Sequence, residues 1–326
     1  MPQQSENELP IIIAFLVILF IAYKKGLLDE IFGNTILPPP SGGGGGGGGG
    51  TPTGVLFVSV GDINHTDETV QEIVASGAPN IIGLGDYSYD SDAQGWWDET
   101  MAPIHNLKFY GTQGNHDDES YATIFTGNGG TYDFTVQIGP VLLISVNTEG
   151  VDKAFVQQSI EQGDNDASVK LIVPFMHIPV QGPPSHHANE NTDLHDLFAA
   201  SSKVLLVLSG HNHNYSRTIV DGITYCTVGT GGRDNPGYPI EDTSSTEYAN
   251  DQVLGILIAK DLGSGLQCDF KENGGSVLDS FTITYATTAN PTPPAEEEEE
   301  ESAYARAYYG YSSSINANAN PYYNFY

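Results

Sequence analysis

A series of short motifs in this 326-residue chain sets a side chain with metal-binding chemistry just after a strand-like run. In order they are Gly61-Asp62, Gly85-Asp86 with Tyr89 close behind, Gly114-Asn115-His116-Asp117, Met176-His177-Ile178-Pro179 and Gly210-His211-Asn212-His213. The last follows the apolar run Val204-Leu205-Leu206-Val207-Leu208, and neither histidine sits on that run, so packing explains them poorly. Taken singly, each motif has an ordinary reading: Gly-Asp is a common turn, Asn115 can close one, and His177 can be a capped strand-end histidine. Taken jointly they do not, because unrelated turns would not be expected to offer carboxylate, phenol, amide and imidazole groups at successive strand ends. The set reads as the ligands of a metal centre.

The elements that must carry these tips alternate. Val55 to Val60 reads as a buried strand running into Asp62, and Thr66 to Ser76 as an amphipathic helix with Thr66 as its N-cap. Asn80 to Leu84 is the next strand, and Leu107 to Tyr110 leads towards Asn115. Tyr132 to Asn147 reads as a hairpin turning at Gly139-Pro140, and Val151 to Gln162 as a helix. Val169 to Phe175 is a strand ending at His177, Thr192 to Ser201 a helix, and Ile219 to Tyr285 is strand-rich. In α/β folds, ligands bind at the carboxyl ends of strands, where these polar residues fall.

Composition bounds the partners. A net charge of −30 with only 11 Lys+Arg argues against nucleic acid, whose phosphates need basic contacts. Most of the acids lie in the central region, so the domain itself is acidic, and such a surface is soluble and self-repelling. Cys226 and Cys268 are too few for a disulfide scaffold and form no CxxC pattern; they read as one disulfide or, preferably, two buried thiols within strands.

The ends differ from the middle. Residues 1–34 hold an apolar run, Leu9 to Tyr23, followed by Lys24-Lys25 and Gly26-Leu27-Leu28. It opens with Glu6 and Glu8 and shows no small-residue cleavage site, so residues 9–28 are expected to anchor the chain in a membrane as a single pass. The other reading is an assembly helix that bundles copies of the chain without lipid. Sidedness stays open: the two lysines point to a cytoplasmic domain, the acidic surface to a cell-surface or extracellular one. Residues 35–53, with Pro38-Pro39-Pro40 and the glycines from Gly42 to Gly50, form a linker. The folded domain is expected over 54–286. Residues 287–302 form a Pro/Glu linker, and 303–326 a Tyr/Ala/Asn-rich tail that offers a second route to homo-assembly.

As an ordered set, the strand-end motifs resemble the calcineurin-like metallophosphoesterases, and among them the catalytic domain of the purple acid phosphatases. The resemblance runs from about Leu56 to Gly232 and also takes in Tyr215 and the stretch from Gly222 to Gly232. It implies an α/β fold, a four-layer sandwich in which two mixed β-sheets pack face to face between flanking helices. Carried over by motif, a first metal would take Asp62, Tyr89, His213 and a shared Asp86. A second would take Asp86, Asn115, His177 and His211. A phenolate is a hard anionic ligand, so Tyr89 points to Fe(III), with Fe, Zn or Mn as a divalent partner.

His116 directly follows Asn115, and His186 and His187 follow His177 by nine and ten residues. Those spacings resemble the histidines of purple acid phosphatases that contact phosphate or protonate the leaving group, which makes all three candidate catalytic residues. The loop Gly182-Pro183-Pro184-Ser185 would also carry a surface histidine pair without any function. Asn64 departs from the pattern, since relatives often have Gly or a ligand His there, and this leaves room for an altered first metal shell. No sandwich domain of the kind carried by plant members is readable before Val55.

The expected function is hydrolysis of a small phosphate monoester by attack of a metal-bound hydroxide at a dinuclear centre. The alternatives are phosphodiester or pyrophosphate hydrolysis on the same metal core, or a structural or adhesive assembly protein that uses the phosphatase fold.

Overall fold

The run from Val55 to Val60 forms β1 (Val55–Val60), and its side chains alternate between two buried layers. Phe57 joins one cluster while Val58 and Val60 join another, the period of two that a strand imposes. The structure, a computed structural model, describes residues 54–286 except 186, 235 and 242. The expected anchor or assembly helix, both linkers and the Tyr-rich tail lie outside the described residues. Among the described residues no helix is long and apolar enough to cross a membrane.

After β1 come α1 (Asp67–Ser76), β2 (Asn80–Gly83), α2 (Ala93–Glu99), β3 (Lys108–Gly111), α3 (Ser120–Ile124), β4 (Phe134–Ile138) and β5 (Val141–Ser145). There follow α4 (Lys153–Asn165), β6 (Leu171–Phe175), α5 (Leu194–Ala199), β7 (Leu206–Ser209), β8 (Tyr215–Val220) and β9 (Ile223–Val228). The last are β10 (Thr246–Asn250), β11 (Gly255–Asp261), β12 (Gly265–Glu272) and β13 (Val277–Thr284). One sheet has six strands in the order β13-β12-β11-β1-β2-β3, and the other seven in the order β10-β8-β9-β7-β6-β5-β4. Both are mixed. In the first, β1, β2 and β3 run parallel while β11 is antiparallel to β1. In the second, β5, β6, β7 and β9 run parallel, with β4 and β8 antiparallel to their neighbours.

Three buried clusters define four layers. Phe57, Leu84, Leu257 and Phe270 of the first sheet meet Val173, Phe175 and Leu208 of the second. On the first sheet's outer face Val58 and Val60 pack with Val70 and Ile73 of α1 and with Trp96 and Trp97 of α2. On the second sheet's outer face Ile172 and Val207 pack with Val156 and Ile160 of α4 and Phe198 of α5. The α/β four-layer sandwich implied by the motifs is the architecture observed.

Most element readings hold to within a few residues at each end, the usual fraying. Thr66 occupies the N-cap position of α1 in an extended conformation, but its side chain makes no capping hydrogen bond, so its predicted role is corrected to backbone geometry alone. The periodicity predicts no helix around Trp96 or Tyr121, yet α2 and α3 form there. Both are too short to display a 3.6-residue repeat, and α2 carries Gly95 in its first turn. They are held from outside by aromatic packing, in which Tyr87 meets Phe125 with ring centroids 4.6 Å apart. Cys226 and Cys268 are free and buried, as preferred.

Candidate metal centre

The parallel strands of both sheets end at one edge, and backbone bonds tie their tips together. Gly61 N–H donates to Val228 O, Asp62 N–H to Gly85 O and Gly210 N–H to His177 O, each at 2.9–3.0 Å. These bonds bend the chain sharply. Asp62, Asp86, Tyr89 and His211 all take positive φ, at 59°, 55°, 62° and 70°. Such backbone is uncommon for residues with a Cβ, and strain of this kind gathers at functional sites. Gly85 also has positive φ, and a Cβ there would come within 2.6 Å of His177 Nδ1, so only glycine lets the β2 tip approach.

At that edge all seven predicted ligands come together. Ligand atoms of Asp62, Asp86 and His177 lie within 4.8 Å of one another, and all three residues are buried. On one side the Tyr89 hydroxyl is 2.8 Å from Asp62 Oδ1 and 3.1 Å from His213 Nε2. On the other side His177 Nε2 is 3.3 Å from Asp86 Oδ1, 3.1 Å from Asn115 Oδ1 and 3.1 Å from His211 Nδ1. Two donor groups thus lie side by side.

A second layer of contacts aims these groups. His177 Nδ1–H donates to Leu84 O at 2.7 Å, which leaves Nε2 turned to the cluster. His213 Nδ1 is held by Asp234 Oδ2 at 2.9 Å, likewise freeing Nε2. Asp86 Oδ1 accepts from His116 N–H at 2.9 Å, and Asp62 Oδ2 from His211 N–H at 2.9 Å. Asp117 accepts backbone N–H bonds from Asp86, Tyr87 and Gly114, joining the second and third motifs. Carboxylates and carbonyls behind imidazole donors are the usual supports of a metal site.

Residues 56–215 match the model of the family described as calcineurin-like phosphoesterase. Over these residues the chain is similar to the calcineurin-like phosphoesterases. Among solved structures it is similar to purple acid phosphatase PPD1 from yellow lupin, at 17% identity and a TM-score of 0.62. That match covers 72% of this chain and 54% of the lupin chain. It is also similar to GAP50, described as the anchor in the inner membrane complex of Plasmodium, at 12% identity and a TM-score of 0.55. There the match covers 71% of this chain and 89% of the other. At such identities the likeness is one of fold. No curated protein matches the chain.

The site is held together by shared protons in a way that invites cations. Burial pushes the Asp86 carboxyl up, but the adjoining His177 outweighs it and holds Asp86 at about 2. Burial would push His177 down, yet the Asp86 carboxylate raises it to about 9. Burial and then the charge on His177 lower His211 to about 3. Burial and the Asp62 carboxylate drive the Tyr89 phenol far above its usual range. Burial and the charge on Asp86 lift Asp117 to about 7. Buried carboxylates need a positive partner, and the protons on His177 and Tyr89 supply it only in part. A donor set of carboxylate, phenol, amide and imidazole fits metal ions that would replace those protons, as the family implies.

A cleft of about 130 Å³ opens over the two groups, lined by Asp86, Tyr89, Asn115, His116, His187, His211, His213, Arg233 and Tyr238. Of the predicted catalytic histidines, His116 and His187 line it, while His186 lies outside the described residues. The His187 ring sits 4.1 Å from that of His211, and its backbone N–H donates to Asn212 Oδ1 at 3.2 Å. Asn64 does not line the cleft; its backbone takes positive φ and its carbonyl accepts from Trp96 Nε1–H at 2.8 Å. The sequence reading missed Arg233, Asp234 and Tyr238. Their signal is their place just after the Gly229-Thr230-Gly231-Gly232 turn, which Gly231 N–H and Arg233 N–H bond to the Gly61-Asp62 tip.

Proposed function

We propose that this chain is a metal-dependent phosphatase that hydrolyses phosphate monoesters at a dinuclear centre. The observation that carries the reading is the convergence of Asp62, Asp86 and His177, with Tyr89 and His213 beside one end and Asn115 and His211 beside the other. Asp62, Asp86, Tyr89 and His213 would hold one ion, taken as Fe(III) because of the phenol, and Asp86, Asn115, His177 and His211 a divalent one. Bound cations supply the Lewis acidity that draws charge from phosphoryl oxygens and makes water a better nucleophile.

The chain's own residues do the rest. Leu84 O and Asp234 keep the proton of His177 and His213 on Nδ1, so that each Nε2 points inward. His116 and His187 line the cleft, and as imidazoles they would hold the phosphate and give a proton to the leaving oxygen.

GAP50 shares this fold and is described as an anchor, so fold alone does not choose between catalysis and structure. The buried acids do favour a site, because carboxylates cost stability when taken out of water without a cation. The test is turnover of p-nitrophenyl phosphate by metal-loaded wild type and by Asp86→Ala. Activity in the first and its loss in the second is expected; equal activity in both would refute the proposal. A faster rate on bis(p-nitrophenyl) phosphate would move the reading to a phosphodiesterase.

A further inference from the structure

Among the residues that line the cleft, Arg233 is the one Lys or Arg side chain. Other bases of the domain are spent on structure. Lys203 donates to the carbonyls of Gly163, Asp164 and Asp166, Arg217 holds Asp279 through two nitrogens, and Lys271 pairs with Glu72. Arg233 is placed differently. Its backbone N–H donates to Asp62 O at 2.9 Å, which pins the residue beside the site. Its guanidinium makes no side-chain hydrogen bond among the described residues. The Asp234 carboxylate approaches Nε only to 3.9 Å, and its Oδ2 is engaged by His213.

The guanidinium carbon lies 4.6 Å over the Tyr89 ring, and the Arg233 side chain is 43% exposed. Contact with a ring face holds the group in place without using its N–H donors. Next to it the Tyr238 ring stacks on His213, with centroids 4.8 Å apart and planes 19° from parallel. The lining of the cleft therefore carries a fork of donors and an aromatic ring alongside Asp86, Asn115 and His211.

We propose that Arg233 and Tyr238 form a leaving-group subsite that selects phosphate esters bearing a second anionic group, a carboxylate or a further phosphate, a few bonds from the scissile one. The proposal rests on the phosphatase reading and names the substrate class within it. A guanidinium matches the geometry of a carboxylate or phosphate and binds it through charge-assisted hydrogen bonds. A chain of net charge −30 otherwise repels such anions, so a base in the cleft lining concentrates the preference at one point. Tyr238 offers its ring to the carbon skeleton between the two charges.

The test is titration calorimetry on the metal-loaded full chain with propylphosphonate and 3-phosphonopropionate, which differ by a carboxylate in place of a methyl. The wild type is expected to bind the carboxylated compound about tenfold more tightly, one good charge-assisted contact. Arg233→Met brings the ratio of the two affinities to about one, and Arg233→Lys, a point charge without the fork, gives a ratio in between. A ratio that survives in Arg233→Met, or a wild type with no preference, overturns the subsite and leaves the phosphatase reading intact. A wild type that binds neither phosphonate overturns both.

Discussion

Gly114→Ala probes how closely the loop before Asn115 is held against Asp86. A Cβ at this position would lie 2.1 Å from Asp86 Oδ1 and 2.2 Å from Asp86 N, where an unstrained contact is about 3.5 Å. Neither atom can step aside. Asp86 N–H donates to Asp117 Oδ2 at 2.8 Å, and Asp86 Oδ1 accepts from His116 N–H at 2.9 Å. Relief requires the two strand tips to part by more than about 1 Å, and a misplacement of about 1 Å at a reacting centre already costs about a hundredfold in rate. Overpacking also costs stability, about 1–3 kcal/mol, which the rest of the core absorbs. The assay is turnover of p-nitrophenyl phosphate with metal content and a thermal melt measured on the same preparation. Gly150→Ala serves as the control, because nothing lies within 4 Å of its Cβ. Wild-type turnover and metal content in Gly114→Ala would refute the packing of the second and third motifs described above.

Metal uptake is expected to depend on pH with a definite sign. In the metal-free chain His177 keeps its proton up to about 9 and the Tyr89 phenol keeps its own beyond that, and both must leave for a cation to bind. Affinity therefore rises with pH, about tenfold per unit for each proton released, and the slope falls by one proton once His177 is neutral while the phenol still contributes its own. Competition with a chelator across neutral pH measures the slope, and Tyr89→Phe lowers it by one proton; a slope that is flat, or equal in both proteins, contradicts a phenolate ligand. Asp234→Ala removes the carboxylate behind His213 Nδ1 and weakens metal binding by about 10–100-fold with little change in melting temperature of the metal-free chain. Unaltered affinity in that variant would show that Asp234 does not orient the ring.

The parts legible in the sequence are those written in local chemistry. Val55 to Val60 and Leu171 to Phe175 are apolar runs that stop at polar tips, and β7 into His211 is another, so strand, edge and donor type could be read together. The hairpin at Gly139-Pro140 was equally local, with Ile138 paired to Val141 across the turn. What escaped depends on distant chain. Helices α2 and α3 exist because Trp96 and Tyr121 pack on Tyr87, a tertiary cause with no periodic trace. Arg233, Asp234 and Tyr238 reach the cleft only because the turn after β9 bonds to the tip of β1. Asp117 lies within the Gly114-Asn115-His116-Asp117 motif, but its task of tying Gly114 to Asp86 depends on a second strand end.

The central claim is that side chains scattered from Asp62 to His213 form two adjoining cation sites, and the direct measurement is the metal content of the purified full chain. About two ions per chain are predicted, one of them iron with a visible absorption from Tyr89, falling in Asp86→Ala as the shared ligand is lost. A wild-type chain that retains no metal after incubation with iron and zinc salts at neutral pH would contradict it.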